Sequence, residues 1–107
     1  MTKDIIHGTG NVFADLGLPD AGDRQTKTRL AMAINELIRE RRLKQADAAD
    51  ILGVPQPKVS ALANYRLDGF SVERLMGFLT SLDQDVEIMI RPRTHEGMGA
   101  VSVLTVR

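Results

Sequence analysis

The chain of 107 residues contains no cysteine and no tryptophan, and only 4% of it is aromatic. Without cysteine it can form neither disulfides nor thiolate metal sites. Its two histidines, His7 and His95, lie in segments without regular periodicity, so we expect no structural metal and no cofactor. No apolar run approaches the roughly 20 residues of a membrane span, and residues 1–10 lack the pattern of a secretory signal. We therefore expect a cytoplasmic protein with no membrane partner.

The sequence also lacks the usual signatures of catalysis. Neither histidine is near a plausible acid or base, and we find no phosphate-cradling glycine loop and no metal-ligand spacing. The carboxylates are better explained as helix surface and helix caps. We therefore expect that the chain is not an enzyme.

The formal net charge is zero, but the charges are segregated along the chain. Residues 24–44 carry seven basic side chains against two acidic ones, whereas residues 45–90 carry three basic against seven acidic. A chain with this distribution can present a phosphate-facing surface while it stays neutral overall. For any single arginine, a solvated helix face with salt bridges is the simpler interpretation.

The segment KQADAADILGVPQPKVSALANY, residues 44–65, predicts two short helices joined by a turn at Gly53. Glycine ends the first helix because it adopts positive φ without a Cβ clash. Ala49 is small enough to let the two helices cross closely. Val59 and Leu62, three residues apart, predict the buried side of the second helix. The two prolines of VPQP fall in its first turn, where they cost little because those N–H groups have no intrahelical partner.

The remaining side chains of this segment are short, polar or cationic, as a helix in a DNA major groove requires. The candidate DNA contacts are Gln45, Gln56, Pro57, Lys58, Ser60, Ala61 and Asn64, and the candidate phosphate contacts are Lys44 and Arg66. The alternative is an ordinary helical hairpin with polar outer faces.

Two further helices are predicted around this segment. A long helix should run from about Arg24, capped by Asp20 or Asp23, to Arg42, and Ser71 should cap a later helix. Their buried positions are predicted to be Leu30, Ile34, Leu37 and Ile38 in the first, and Val72, Leu75, Met76, Leu79 and Leu82 in the second. A short helix capped by Asn11 should precede them and end at Gly17, after an arm of ten residues.

From Asp85 onward apolar residues recur at every second position, at Val86, Ile88 and Ile90. This spacing predicts a β-strand that ends at Pro92. The segment AVSVLTVR, residues 100–107, has similar β character. A lone strand or two-stranded hairpin is only marginally stable in water. We therefore expect these segments to pair with their copies across a two-fold axis in a homodimer. The candidate interface residues are Leu79, Leu82, Val86, Ile88 and Ile90, with residues 100–107 or the N-terminal arm as alternatives.

Residues 44–65, the two predicted short helices and their turn, resemble the helix-turn-helix of the Cro/phage-repressor-like (XRE) family. Gln45 opens the first helix, Ala49 lies at the crossing, and Gly53 and Val54 form the turn. The resemblance implies a mainly α, lambda-repressor-like bundle of four to five helices with a C-terminal β-strand or hairpin. From the length and the pattern of the chain we expect one compact domain, in which residues 1–23 form an arm and short helix, 24–83 the helix-turn-helix DNA-binding domain, and 84–107 a β-strand dimerisation segment.

Residues 11–93 also resemble small HigA-type antitoxins. This implies a repressor of double-stranded operator DNA that neutralises a RelE/HigB-like toxin and regulates its own operon. Residues 11–20, which are acidic and carry Phe13, Leu16 and Leu18, are the candidate toxin contact, although they could equally pack on their own domain. The alternative function is a stand-alone transcriptional regulator with no toxin partner.

One position departs from the family pattern. After Asn64, where a glycine commonly ends the second helix in relatives, this chain has Tyr65 and Arg66. Either the helix runs longer than usual, or Tyr65 bears backbone strain.

Overall fold

The computed structural model describes residues 20–106, which fold into four α-helices. These are α1 (Asp20–Glu40), α2 (Gln45–Leu52), α3 (Gln56–Ala63) and α4 (Val72–Ser81). The fold is mainly α, as expected. The predicted helix from Asn11 and the N-terminal arm lie outside the described residues.

Helix α1 begins earlier than the sequence predicted. Asp23 was a candidate cap, but it lies inside the helix, where its Oδ2 is 3.5 Å from the Nζ of Lys27 one turn later. This pair spans positions i and i+4, which face each other on a helix surface. The prediction for α4 is confirmed, because the Ser71 hydroxyl accepts a hydrogen bond of 3.0 Å from the Arg74 N–H.

The core lies between α1 and α4, which pack on each other more extensively than any other pair of helices, and is closed by α2 and α3. The predicted positions Leu30, Ile34, Leu75 and Leu79 are all buried in it. Phe70 and Phe78, which were not among the predicted core positions, meet edge to face in this core with ring centroids 5.8 Å apart.

All four helices end in the same way, with a residue in the left-handed conformation. These residues are Arg42, Gly53, Tyr65 and Asp83, with φ between 55° and 71°. In each case the next N–H bonds to a carbonyl five residues back: Leu43 to Ile38, Val54 to Ala49, Arg66 to Ala61, and Gln84 to Leu79, at 2.9–3.0 Å. This is the Schellman motif, which satisfies carbonyls that have no partner at a helix end. Helix α3 therefore does not run on, and Tyr65 adopts the left-handed conformation.

Residues 84–106 contain no β-strand, so the two predicted strands do not form within the single chain. Val86 and Val103 are half-buried against the core, and the rest of the segment is largely exposed. A strand needs a neighbour to satisfy its N–H and C=O groups, and within residues 20–106 these segments do not pair.

Two of the expected interface residues belong to the chain's own core. Leu79 is 8% exposed and Leu82 is 0% exposed, so neither offers surface to a second copy. The hydrophobic period of α4 did not distinguish the two possibilities, because an apolar stripe can be buried either by its own chain or by a partner. Val86, Ile88 and Ile90 keep some exposure.

Candidate nucleic-acid interface

The turn between α2 and α3 has the geometry that the glycine and prolines predicted. Gly53 ends α2 with φ 71°, and Pro55 is the N-cap of α3 with an extended backbone. Pro57 lies in the first turn of α3, where its missing N–H costs no intrahelical bond. Val54, between them, is buried in the core. The start of α3 is thus rigid and anchored.

Helix α3 is held to the body of the protein along one side. Val59 and Leu62 are buried, as is Ala49 on α2, the helix that packs most closely on α3. The Asn35 side chain on α1 donates a hydrogen bond from Nδ2 to the Leu62 carbonyl oxygen at 3.1 Å. Periodicity does not predict a bond between residues so far apart in the sequence, so Asn35 was not among the predicted functional residues.

The candidate DNA contacts on α3 and at its C-cap, Asn64, divide into two groups. Gln56, Pro57 and Asn64 are exposed, whereas Lys58, Ser60 and Ala61 are half-buried. Asn64 Nδ2 donates to the Ser60 carbonyl at 2.9 Å, so its Oδ1 is the group best placed to accept from a ligand. The exposed group is therefore the stronger set for reading bases.

Lys58 makes a contact that the pattern did not predict. Its ammonium lies 5.0 Å from the ring centroid of Phe70, in a cation–π arrangement. Gly69 allows this approach, since a Cβ at that position would lie 2.9 Å from Lys58 Nζ. Lys58 therefore links α3 to the loop before α4, and a phosphate would bind the ammonium hydrogens that point away from the ring.

The predicted phosphate contacts lie at the two ends of the motif. Lys44 is the N-cap of α2 but makes no side-chain cap bond, and it is exposed together with Gln45. Arg66 is exposed just beyond α3. The backbone N–H groups of the first turn of α2 and the Lys44 ammonium both favour an anion there.

Three arginines, Arg39, Arg41 and Arg42, lie at the end of α1, and one of them stabilises the fold. Arg41 Nη2 donates to the Leu82 carbonyl at 2.6 Å, and Arg41 Nη1 lies 3.3 Å from Asp83 Oδ2. This side chain ties the end of α1 to the end of α4. Arg39 and Arg42 are exposed.

Among residues 20–106, no cluster of three or more His, Asp or Glu side chains could hold a metal ion. No helix in the same range is long and apolar enough to cross a membrane.

The comparisons with known proteins agree with this geometry. A family model described as a helix-turn-helix domain matches residues 12–91. A solved structure that bears the name XRE family transcriptional regulator is 57% identical to this chain, with a TM-score of 0.79. The match covers 82% of this chain and 100% of that one. The chain belongs to the XRE helix-turn-helix family. No curated protein matches this XRE-family chain.

Family membership assigns roles to the two central helices of this XRE-family protein. Helix α2 is the first helix of the motif, and α3 is the second, the one that enters the major groove in helix-turn-helix proteins. The resemblance to the XRE family is confirmed, whereas the resemblance to HigA-type antitoxins stays a prediction.

Proposed function

We propose that this XRE-family protein is a sequence-specific DNA-binding repressor that reads its operator with α3. The observation that carries the proposal is the division of α3 into a buried side, with Val59 and Leu62, and an exposed side, with Gln56, Pro57 and Asn64. A glutamine can pair with an adenine edge through two hydrogen bonds, and a proline ring can contact a thymine methyl.

We further propose that the repressor is a homodimer. One reading helix covers only a few base pairs, and helix-turn-helix dimers place two such helices roughly 34 Å apart, one turn of DNA. Of the ten large exposed hydrophobic side chains in the described chain, seven lie between Ile88 and Val106. A concentration of this kind marks an interaction surface.

A second copy of the chain is the occupant that best suits this segment. Val86, Ile88 and Ile90 occupy every second position, as on one face of a strand, but this segment has no strand partner among residues 20–106. Antiparallel pairing with the same segment of a partner would satisfy the backbone groups and cover Ile88 and Ile90 together. Such pairing would also produce the β-strand that the sequence predicts.

A more specific proposal is that the repressor is also an antitoxin. It is favoured by the resemblance of residues 11–93 to HigA-type antitoxins and by the acidic, apolar character of residues 11–20. On this proposal a RelE/HigB-like toxin binds the N-terminal segment, and the complex regulates its own operon. A stand-alone regulator without a toxin is equally consistent with the fold and the family.

The DNA-binding proposal is tested with fluorescence anisotropy on duplexes from the region upstream of the protein's own coding sequence. Gln56→Ala should cost about 1 to 3 kcal/mol on the preferred site and relax discrimination at one base pair. Gln25→Ala, at an exposed glutamine of α1, is the matched control and should bind normally. Failure of the wild-type chain to prefer any such duplex over random DNA would refute the proposal.

The toxin proposal is tested by co-purification with the product of the adjacent reading frame. Full-length Phe13→Ala/Leu16→Ala should lose the partner, and a chain that starts at Asp20, which keeps α1 whole, should lose it too. Both variants should still bind operator DNA. If the wild-type chain captures no such partner, the stand-alone regulator is correct, and if both variants retain it, the toxin binds elsewhere.

A further inference from the structure

Tyr65 combines an unfavourable backbone conformation with an exposed side chain. Its φ is 58°, and 46% of the residue is accessible to solvent. Only glycine adopts this conformation without a Cβ penalty, and a bulky residue there is uncommon. Such strain tends to persist where a side chain serves a function.

The other left-handed helix ends show that Tyr65 is not needed to stop its helix. Arg42 follows α1 with an exposed side chain, Gly53 ends α2 with no side chain at all, and Asp83 follows α4 while pairing with Arg41. In the described chain, the Tyr65 hydroxyl has no hydrogen-bond partner, and its ring makes no aromatic or cation–π contact. Within the described fold, therefore, no hydrogen bond, aromatic contact or cation–π contact accounts for a tyrosine at this position.

The position of Tyr65 relative to α3 suggests what it contacts. Helix α3 has eight residues, and at 1.5 Å per residue it is about 12 Å long. In helix-turn-helix proteins the N-terminal residues of this helix contact base edges in the major groove. Tyr65 follows the opposite, C-terminal end of α3, so its side chain is better placed for the sugar–phosphate backbone than for a base edge. Arg66, the next residue, is exposed and adds a positive charge there.

We propose that the Tyr65 hydroxyl donates a hydrogen bond to a DNA backbone phosphate at the wall of the groove that α3 reads. The phenol is a neutral donor, and the phosphate oxygen is a strong anionic acceptor. On this proposal the protein retains a strained residue at the end of α3 because the hydroxyl positions the helix on the duplex. The inference rests on the proposed DNA-binding function.

Two variants separate the hydroxyl from the strain. Tyr65→Phe keeps the ring and the strained backbone but removes the donor, so it should melt like the wild type and bind DNA roughly tenfold more weakly. Tyr65→Gly removes both, so it should melt at a higher temperature and still bind more weakly. A more stable protein that binds less well is a result that a purely structural role would not produce.

The kind of contact is read from sequence and salt dependence. A phosphate contact carries no base information, so Tyr65→Phe should weaken operator and non-operator duplexes by the same factor. A neutral donor releases no counterion, so the slope of log affinity against log salt should not change, whereas Arg66→Ala should flatten it. If Tyr65→Phe lost affinity for the operator duplex alone, the hydroxyl would contact a base, and the phosphate assignment would be overturned.

Spectroscopy gives an independent readout because Tyr65 is the only tyrosine in the chain. A fluorotyrosine-labelled wild-type protein should show a single fluorine resonance that shifts when operator DNA is added. If the resonance does not move, and both variants bind operator like the wild type, the inference fails while the DNA-binding function stands. If the wild-type chain binds no operator, both fail.

Discussion

Asn35 on α1 donates a hydrogen bond from Nδ2 to the Leu62 carbonyl oxygen at 3.1 Å, across 27 positions of sequence. Leu62 lies in the last turn of α3, where carbonyls lose their intrahelical partners. Its oxygen also accepts from the Tyr65 N–H at 3.1 Å. One side chain on the longest helix thus fixes the end of the reading helix, and the orientation of α3 depends on the packing of α1.

Replacing Asn35 by leucine, which is similar in size but has no donor, should therefore destabilise the protein by about 1 kcal/mol. The melting temperature should fall by roughly 4 to 8 °C. Operator affinity should fall as well, because the end of α3 is held less firmly. Thermal melting and anisotropy check both effects, and an unchanged melting temperature would show that water replaces the amide without loss.

Ala49 is buried where α2 packs against its neighbours, so leucine at this position should overpack the motif. We expect a loss of about 1 to 3 kcal/mol in the free energy of unfolding. Ala46→Leu is the matched control, because Ala46 is on the same helix but exposed. Denaturant unfolding of the two variants measures the difference. Equal stability would mean that the interior accommodates the larger side chain.

The contact of Lys58 with Phe70 predicts coupling between Lys58 and Gly69. Gly69→Ala should push the ammonium off the ring, since the new Cβ would lie 2.9 Å from Nζ. Lys58→Met should also remove the cation–π contact, and each change should cost about 0.5 to 1 kcal/mol. The double variant should be no less stable than the worse single one. Additive losses in the double-mutant cycle would show that the two residues act separately.

The exposed cations at the two ends of the motif should account for part of the salt dependence of DNA binding. Lys44→Ala and Arg66→Ala should each flatten the slope of log affinity against log salt by about 0.9. Neither should alter the melting temperature appreciably, because the described structure gives neither side chain an ion pair. Arg93→Ala, outside the motif, is the control. An unchanged slope in both variants would place the phosphate contacts elsewhere.

Ile88→Lys should convert the proposed dimer into a monomer and reduce operator binding, although every residue of α3 is unaltered. A charge on the paired face would meet its own copy across the two-fold axis. Met89→Lys is the matched control, since Met89 is 81% exposed and alternates with Ile88. Light scattering and anisotropy measure the two effects. A stable Ile88→Lys dimer with normal affinity would place the interface in residues 100–107 or the N-terminal arm.

The sequence by itself determined the presence and order of the four described helices, the turn between α2 and α3, and the family. Gly53 with the two following prolines predicted the α2–α3 turn, and the spacing of Val59 and Leu62 predicted which side of α3 is buried. These features depend on local backbone conformation and on the helical period, so they can be predicted from a short stretch of residues. Ser71 predicted the start of α4 for the same reason.

Only the tertiary structure decided what distant residues do. The bonds from Asn35 to Leu62 and from Arg41 to Leu82, and the placement of Lys58 on Phe70, join separate elements that no local pattern connects. Leu79 and Leu82 carried an apolar period that suited an interface as well as a core, and packing against α1 assigned them to the core. The spacing of apolar residues shows which face of a helix is apolar, but the partner that covers that face is determined only when the whole chain has folded.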